Sequence, residues 1–335
     1  MKEVLAKVLS GAHLSEAEAE AAMGQIMAGT ATPAQLGALL TALRLKGESI
    51  EELTGFARGM RAHSVKVTTA RHPLVDTCGT GGAARKTFNV STTSAFVAAA
   101  AGVAIAKHCN RAATSKFGSA DVLEALGARL DLTPEAVGHC INEVGIGFLF
   151  ARSHHPAMKH AAPVRAELGF RTIFNALGPL TNPAGATRQV LGVYDGALCE
   201  PLANVLLRLG AEHVLVVHGK AGLDELSTFG ETLVAEGKNG AVATYTLTAT
   251  DLGLTETTPE ALAPDDDPAA TVRAILSGEP GPRREIVLAN AGAALYVAGS
   301  ASSLVAGIAR AAQAIDSGAA LTKLTQFVEF TQNAS

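Results

Sequence analysis

Tryptophan is absent from this 335-residue chain, and aromatic residues make up only 4% of it. A core built almost without large rings must be closed by Ala, Gly, Leu and Val, so close helix–sheet contacts are expected. Basic runs are also missing. No block of Lys and Arg exceeds a doublet (Arg85-Lys86, Arg283-Arg284), and the formal net charge is −4. That balance leaves no electrostatic footprint for nucleic acid or an anionic membrane surface. The longest apolar run, Ala95 to Ala106, is too short to cross a bilayer. The first residues lead straight into an amphipathic pattern with no signal-peptide core, so a cytoplasmic protein is expected. The four cysteines, at 78, 109, 140 and 199, show neither metal-type spacing nor a dense framework. Cys78 and Cys109 read as small, soft packing residues rather than nucleophiles.

What is present points to a globular protein: 48% of residues are hydrophobic and 17% charged. The length suits one large domain or two. Residues 1–64 read as helices only. Ser15 with Glu18 and Ser49 with Glu52 are capping-box pairs, and Thr32-Pro33 places a cap before a proline at the first helical position. Leu36, Leu39, Leu40 and Leu43 recur at helical spacing until Gly47. Nothing catalytic stands here, and one apolar face is left for a dimer partner.

From about residue 72, short apolar runs at 103–106, 148–150, 190–194 and 214–217 alternate with helical patterns near 91–101, 119–127, 134–144 and 200–209. This alternation predicts an α/β domain with a mainly parallel sheet. Residues 156–185 interrupt it, with a helix over 157–168 and a turn-rich run at 174–183. The interruption is expected to return to the helical domain and leave a hinged cleft between two crossing connections. Further helices are expected at 269–278, 285–299, 301–316 and 320–331. Asp265-Asp266-Asp267, between prolines, reads as a solvated turn rather than a metal site. The expected architecture is α/β class. A small all-helical domain covers 1–70, joined by part of 165–185, and a larger α/β domain covers 71–335.

The stretch from Asp76 to Ser119 carries the chemistry. Gly79-Thr80-Gly81-Gly82 follows an apolar lead-in, and a helix opens near Ser91. Glycines there let backbone amides approach a ligand, and a helix start suits phosphate. Lys107, His108, Asn110, Arg111, Ser115, Lys116 and Ser119 follow the next strand. Two phosphate-shaped features imply a ligand with two anionic ends; the competing reading is a pair of solvated loops. Asp224-Glu225, after the strand at 214–217, would hold Mg²⁺ through oxygen or be a common surface pair. Arg165 would clamp a carboxylate through parallel hydrogen bonds or pair with Glu167. His154-His155 lacks zinc-type spacing, and one ring would line a pocket.

These residues also carry a resemblance. The central stretch, Gly118 to Gly127, His155-Pro156-Ala157-Met158, Arg171-Thr172-Ile173-Phe174-Asn175, Gly178 to Pro183 and Asp224-Glu225 resemble the anthranilate phosphoribosyltransferase family, essentially end to end. The resemblance implies transfer of phosphoribose from 5-phosphoribosyl 1-diphosphate to the amine of anthranilate, with release of diphosphate, on the way to tryptophan. It implies a nucleoside-phosphorylase-like two-domain fold and a homodimer formed through the helical part. It places the phosphoribosyl diphosphate along Gly79, Gly82, Ala83, Thr87, Asn89, Val90, Ser91, Thr92, Lys107, His108, Cys109, Asn110, Arg111, Ala112, Ala113, Thr114, Ser115 and Ser119. Ser91, Asp224 and Glu225 would ligate Mg²⁺, with two ions accompanying the substrate. Gly79, Asn110 and Arg165 would meet anthranilate, with His108, His155 and Gly178 lining its approach. No single catalytic residue is implied.

The chain departs from the family pattern at Ala83-Ala84, where Asp-Gly is usual, and at Cys109, where Gly is usual. Arg85 and Lys86 follow the first change, and would hold diphosphate directly in place of the lost metal-side carboxylate. Two other readings remain. A nucleoside phosphorylase would split nucleosides with inorganic phosphate, and a silent paralogue would bind nucleic acid with a salt-dependent shift.

Overall fold

The computed structural model describes residues 1–111, 117–264 and 266–334. Four helices come first: α1 (Lys2–Leu9), α2 (Glu16–Met27), α3 (Pro33–Lys46) and α4 (Ile50–Ala62). Both predicted capping boxes form, and Thr32 with Gln35 makes a third. Glu52 is wholly buried and accepts from Lys46, His13 and the amides of Leu14 and Ser49, so the box doubles as an anchor between the α1–α2 loop, α3 and α4.

Seven strands follow: β1 (Leu74–Asp76), β2 (Ala104–Cys109), β3 (Ile146–Phe150), β4 (Arg188–Gly192), β5 (His213–Gly219), β6 (Thr232–Lys238) and β7 (Ala241–Leu247). They form one sheet in the order β3-β2-β1-β4-β5-β6-β7. The first five run parallel; β6 and β7 are antiparallel. Between them lie α5 (Val90–Ala100), α6 (Ser119–Ala125), α7 (Pro134–Val144), α8 (Ala151–His154), α9 (Ala162–Leu168), α10 (Phe174–Leu177) and α11 (Cys199–Arg208). After β7 come α12 (Pro268–Leu276), α13 (Pro282–Val297), α14 (Leu304–Asp316) and α15 (Ala319–Asn333).

The antiparallel pair was not expected from the sequence, although Asn239-Gly240 carries its signal. Both residues have positive φ, as a two-residue hairpin turn requires. The single helix expected over 157–168 is two pieces, a 3-10 turn at Pro156–His160 and then α9. Pro163 lacks an amide hydrogen, so it fits the first turn of a helix and not an interior. Asp267 caps α12 through the amide of Ala270, as a turn residue should. Asp265 lies outside the described residues.

One apolar cluster fills the space between α5, α13, α14, α15 and one sheet face, with Phe327 meeting Phe96 and Phe148 edge to face. A second runs from the N-terminal helices through Val164, Phe174 and Leu180 to α11 and the other face of β4 and β5. The turn-rich interruption therefore does return to the helical part, and its buried side chains are shared between the two.

Candidate active site

The site is built at the carboxyl ends of the parallel strands. At the end of β1, Asp76 is wholly buried. Its carboxylate accepts from the amides of Cys78 (2.9 Å) and His108 (3.1 Å) and from the side chain of Asn182 (2.6 Å). Asn182 also donates to the Ala106 carbonyl at 2.8 Å. One buried carboxylate thus ties the ends of β1 and β2 to the turn-rich segment. Burial pushes Asp76 up to about 6, against the pull of Lys107 and its hydrogen-bond donors. Lys107 is only 2% exposed. Its ammonium donates to the Thr77 carbonyl (2.8 Å) and the Ser91 hydroxyl (3.2 Å).

Three strand-end turns converge around it. The Thr80 amide donates to the Gly192 carbonyl at 2.8 Å. A Cβ at Gly79 would stand 3.1 Å from that carbonyl and 3.6 Å from Asp224 Oδ2, and one at Gly192 would fall 1.6 Å from the Asp224 carbonyl. Only glycine at 192 lets the turn after β5 close over the end of β4. β1 and β4 are neighbours where the strand order reverses, the crevice in which α/β sheets bind ligands.

The glycine turn is held from both flanks. Gly82 has φ +78°, and its carbonyl accepts from the Arg171 guanidinium, which lies 4.0 Å from the ring centroid of Tyr194. On the other side, the Arg85 amide donates to Gly222 (3.0 Å) and its Nε to the Ala221 carbonyl (2.9 Å). Arg85 is thus tied to the backbone of the turn after β5 through its amide and Nε. Ala83 is buried beside it. Thr87 donates to the Phe88 carbonyl at 3.1 Å. Asn89 precedes α5 without a side-chain cap, and Thr92 in its first turn is wholly buried with an unpartnered hydroxyl. A helix start with an orphaned donor is suited to an anion. The side chains of Val90 and Cys109 lie in the apolar core, so only their backbones can reach a ligand.

Asp224 and Glu225 are half-buried. Burial raises both, and the Asp224 charge helps push Glu225 up to about 8. Lys86, His218 and Lys107 pull Asp224 back. Among the described residues no three His, Cys, Asp or Glu gather as a metal cluster. Two carboxylates with the Ser91 hydroxyl form an oxygen-only set that fits a hard divalent ion sharing its remaining positions with substrate oxygens and water.

On the far side, His108 Nδ1 donates to the Gly178 carbonyl at 3.0 Å, and its ring lies 5.1 Å from that of His155. Burial lowers His108 to about 3 and His155 to about 4, each further depressed by a neighbouring histidine. Both rings are neutral near pH 7, and the Nε2 of each is buried without a partner among the described residues. Donation from Nδ1 leaves His108 Nε2 as a lone-pair acceptor. Arg165, on α9, stands over the Phe174 ring at 5.1 Å. Burial alone lowers its pKa, and no acid faces it among the described residues, so the Glu167 pairing does not form. α10 runs from Phe174 to the residue before Gly178, linking Arg165 to the histidines.

Arg111 departs from its expected role. Its guanidinium is exposed and spent on Asp121 (3.0 Å) and Glu124 (2.7 Å), because α6 presents both carboxylates within one turn. Asn110 is exposed and accepts the Arg111 amide at 2.8 Å. Ser119 begins α6, half-buried. Ala112, Ala113, Thr114 and Ser115 lie outside the described residues. The roles of Asp76, Asn182, Arg171 and Tyr194 were not read from the sequence, since each depends on a contact between segments more than 80 residues apart or on a buried bond.

The glycosyl transferase family a/b domain model matches residues 71–321, and the glycosyl transferase family helical bundle domain model matches residues 2–64. An anthranilate phosphoribosyltransferase of Symbiobacterium thermophilum is 56% identical over 333 residues, covering 99% of this chain and 98% of that one. Another, from Rubrobacter xylanophilus, is 54% identical over 335 residues, covering 99% and 98%. The crystal structure of anthranilate phosphoribosyltransferase from Thermus thermophilus is similar with a TM-score of 0.94 and 48% identity, over 98% of this chain and 99% of that chain. The Saccharomyces cerevisiae enzyme, solved in complex with PRPP and Mg, has a TM-score of 0.88 and 28% identity, over 99% and 97%. With matches of this identity along nearly its whole length, the chain belongs to the anthranilate phosphoribosyltransferase family.

Proposed function

We infer that this enzyme transfers the phosphoribosyl group of 5-phosphoribosyl 1-diphosphate to the amine of anthranilate, releasing diphosphate, in tryptophan biosynthesis. The observation that carries the reading is the convergence of the glycine turn, the buried Lys107 and the Asp224-Glu225 turn at one switch point.

In this reading the donor lies along Gly79, Gly82, Ala83, Thr87 and 89–92, with Lys107 to Asn110, 112–115 and Ser119 on its other side. The positive end of α5 and the Thr92 hydroxyl take phosphoryl oxygens. Asp224, Glu225 and Ser91 would hold Mg²⁺, which when bound offsets negative charge on the departing diphosphate. The bond from the anomeric carbon to diphosphate oxygen breaks, a bond to the anthranilate nitrogen forms, and the nitrogen gives up one proton to the departing diphosphate or to solvent. Positive charge on the sugar and negative charge on the leaving group develop together, so donors fixed in advance do most of the work. The aromatic amine is neutral at pH 7 and needs no strong base. His108 Nε2 accepts a hydrogen bond from an amine N–H and orients the lone pair toward the sugar. Arg165 pairs with the benzoate through two parallel hydrogen bonds, with Gly79, Asn110, His155 and Gly178 around the ring.

The helical lobe is residues 1–70 with part of 165–185, and the α/β lobe is 71–335. Leu9 (70% exposed) and Leu45 (84% exposed) on α1 and α3 support a homodimer through the helical lobe. Light scattering that returns a single-chain mass at micromolar concentration ends that part of the reading. The enzyme is placed in the cytoplasm, where its substrates and reduced thiols occur.

Diphosphate release tests the activity. With the phosphoribosyl donor and Mg²⁺, release should require anthranilate; phosphate-dependent cleavage of nucleosides instead would favour a phosphorylase.

A further inference from the structure

The glycine turn does not stand alone. Its Gly82 carbonyl accepts from Arg171, whose guanidinium stacks at 4.0 Å on Tyr194. These residues come from three separate segments of the chain. Arg171 follows α9, six positions beyond Arg165, through the left-handed cap at Gly169. Tyr194 follows β4, and its amide is bonded to the Thr80 hydroxyl at 3.2 Å. A Cβ at Gly82 would lie 2.9 Å from the guanidinium, so the arginine tip is packed directly against the turn, whose φ of +78° favours glycine. Just past Arg171, the Thr172 amide is fixed by Asn175 at 3.0 Å, which holds the arginine backbone at the start of α10. Arg171 is exposed and makes no ion pair among the described residues, so neither burial nor charge pairing explains its placement.

We propose that Arg171 is a positioning residue for the transfer reaction: clamped on Tyr194, it latches the donor-side glycine turn to the acceptor-side segment that carries Arg165. This rests on the transferase reading given above. The latch fixes the amides of the turn toward the diphosphate before the donor arrives, which reduces the ordering cost of binding. It also makes the acceptor segment and the donor turn move as one piece. A guanidinium suits this task because its plane stacks on a ring while its edge donates to a carbonyl; an ammonium cannot do both.

The experiment uses Arg171→Ala, Arg171→Lys, Tyr194→Leu and the Arg171→Ala/Tyr194→Leu double variant, with steady-state kinetics and thermal melting on the full chain. The expected result is a rise of about tenfold in KM for phosphoribosyl diphosphate in Arg171→Ala, from the loss of one charge-assisted bond and a stacking contact. KM for anthranilate changes less than the donor KM, and the melting temperature stays within about 2 °C because the residue is exposed. Tyr194→Leu reproduces the donor effect, the double variant adds little to either single change, and Lys recovers only part. Additive single effects, or equal losses for both substrates together with a lowered melting point, would reduce Arg171 to a general structural contact and overturn the proposal. An unaltered donor KM in Arg171→Ala would also overturn it. A wild-type chain inactive with anthranilate would instead strike the transferase reading itself, so the two failures are distinguishable.

Discussion

The Lys107 ammonium donates to the Ser91 hydroxyl at 3.2 Å, joining the end of β2 to the first turn of α5. The same ammonium holds the Thr77 carbonyl at 2.8 Å and offsets the buried charge of Asp76. One cation thus organises both phosphate-facing turns. Lys107→Met keeps most of the volume and removes the charge. It should lower kcat/KM by about 100-fold or more and destabilise the fold by roughly 3 kcal/mol, since it leaves a buried carboxylate uncompensated. Steady-state kinetics and urea unfolding check both; a variant with native kcat/KM contradicts the assignment.

Arg165→Ala should act on one substrate. Losing two charge-assisted bonds to a carboxylate costs about 2–3 kcal/mol, or a rise of roughly 30- to 150-fold in KM for anthranilate. KM for phosphoribosyl diphosphate should stay within about twofold. Arg165→Lys should restore little, because a point charge cannot make the parallel pair. Equal effects on both substrates would place Arg165 elsewhere in the cycle.

Ala83 is buried in the glycine turn, where the sequence resemblance leads to the expectation of Asp. Ala83→Asp should return a carboxylate near the metal side and lower the Mg²⁺ concentration for half-maximal activity several-fold. A Mg²⁺ titration that superimposes on wild type rejects any role for this position in metal dependence.

The two histidines set an acid limit. Burial holds His155 at about 4 and His108 at about 3 in the folded chain, against 6.5 when exposed. As pH falls below about 6.5 the unfolded chain takes up protons first, so stability is full above that value and is lost toward pH 4. Each ring contributes on the order of 3 kcal/mol to that slope. Melting temperatures from pH 7 to 4.5 should fall in wild type and fall less steeply in His155→Asn. Parallel curves for the two proteins would show that the ring does not titrate with folding.

The local features were legible because they rest on short-range chemistry. Ser15, Thr32 and Ser49 cap their helices, and four of the five parallel strands lie within a few residues of their apolar runs. Lys107, Ser91 and Glu225 could be placed near one another because the glycine turn, the helix start and the DE pair follow strand ends. The hairpin β6–β7 escaped notice since β7 is largely exposed and its alternation is polar, leaving only Asn239-Gly240 as a marker. Arg111 reads as a phosphate ligand from its place after a strand end and from the resemblance, whereas its partners Asp121 and Glu124 needed the geometry of α6. Asp76 and Arg171 depend on partners 106 and 89 positions away, and nothing local marks them.

Loss of anthranilate fluorescence is the most direct check. Purified protein mixed with phosphoribosyl diphosphate, Mg²⁺ and anthranilate should consume the fluorophore with one diphosphate released per anthranilate lost, and omission of any component should stop it. Stable fluorescence under those conditions, with folded protein at neutral pH, would contradict the account.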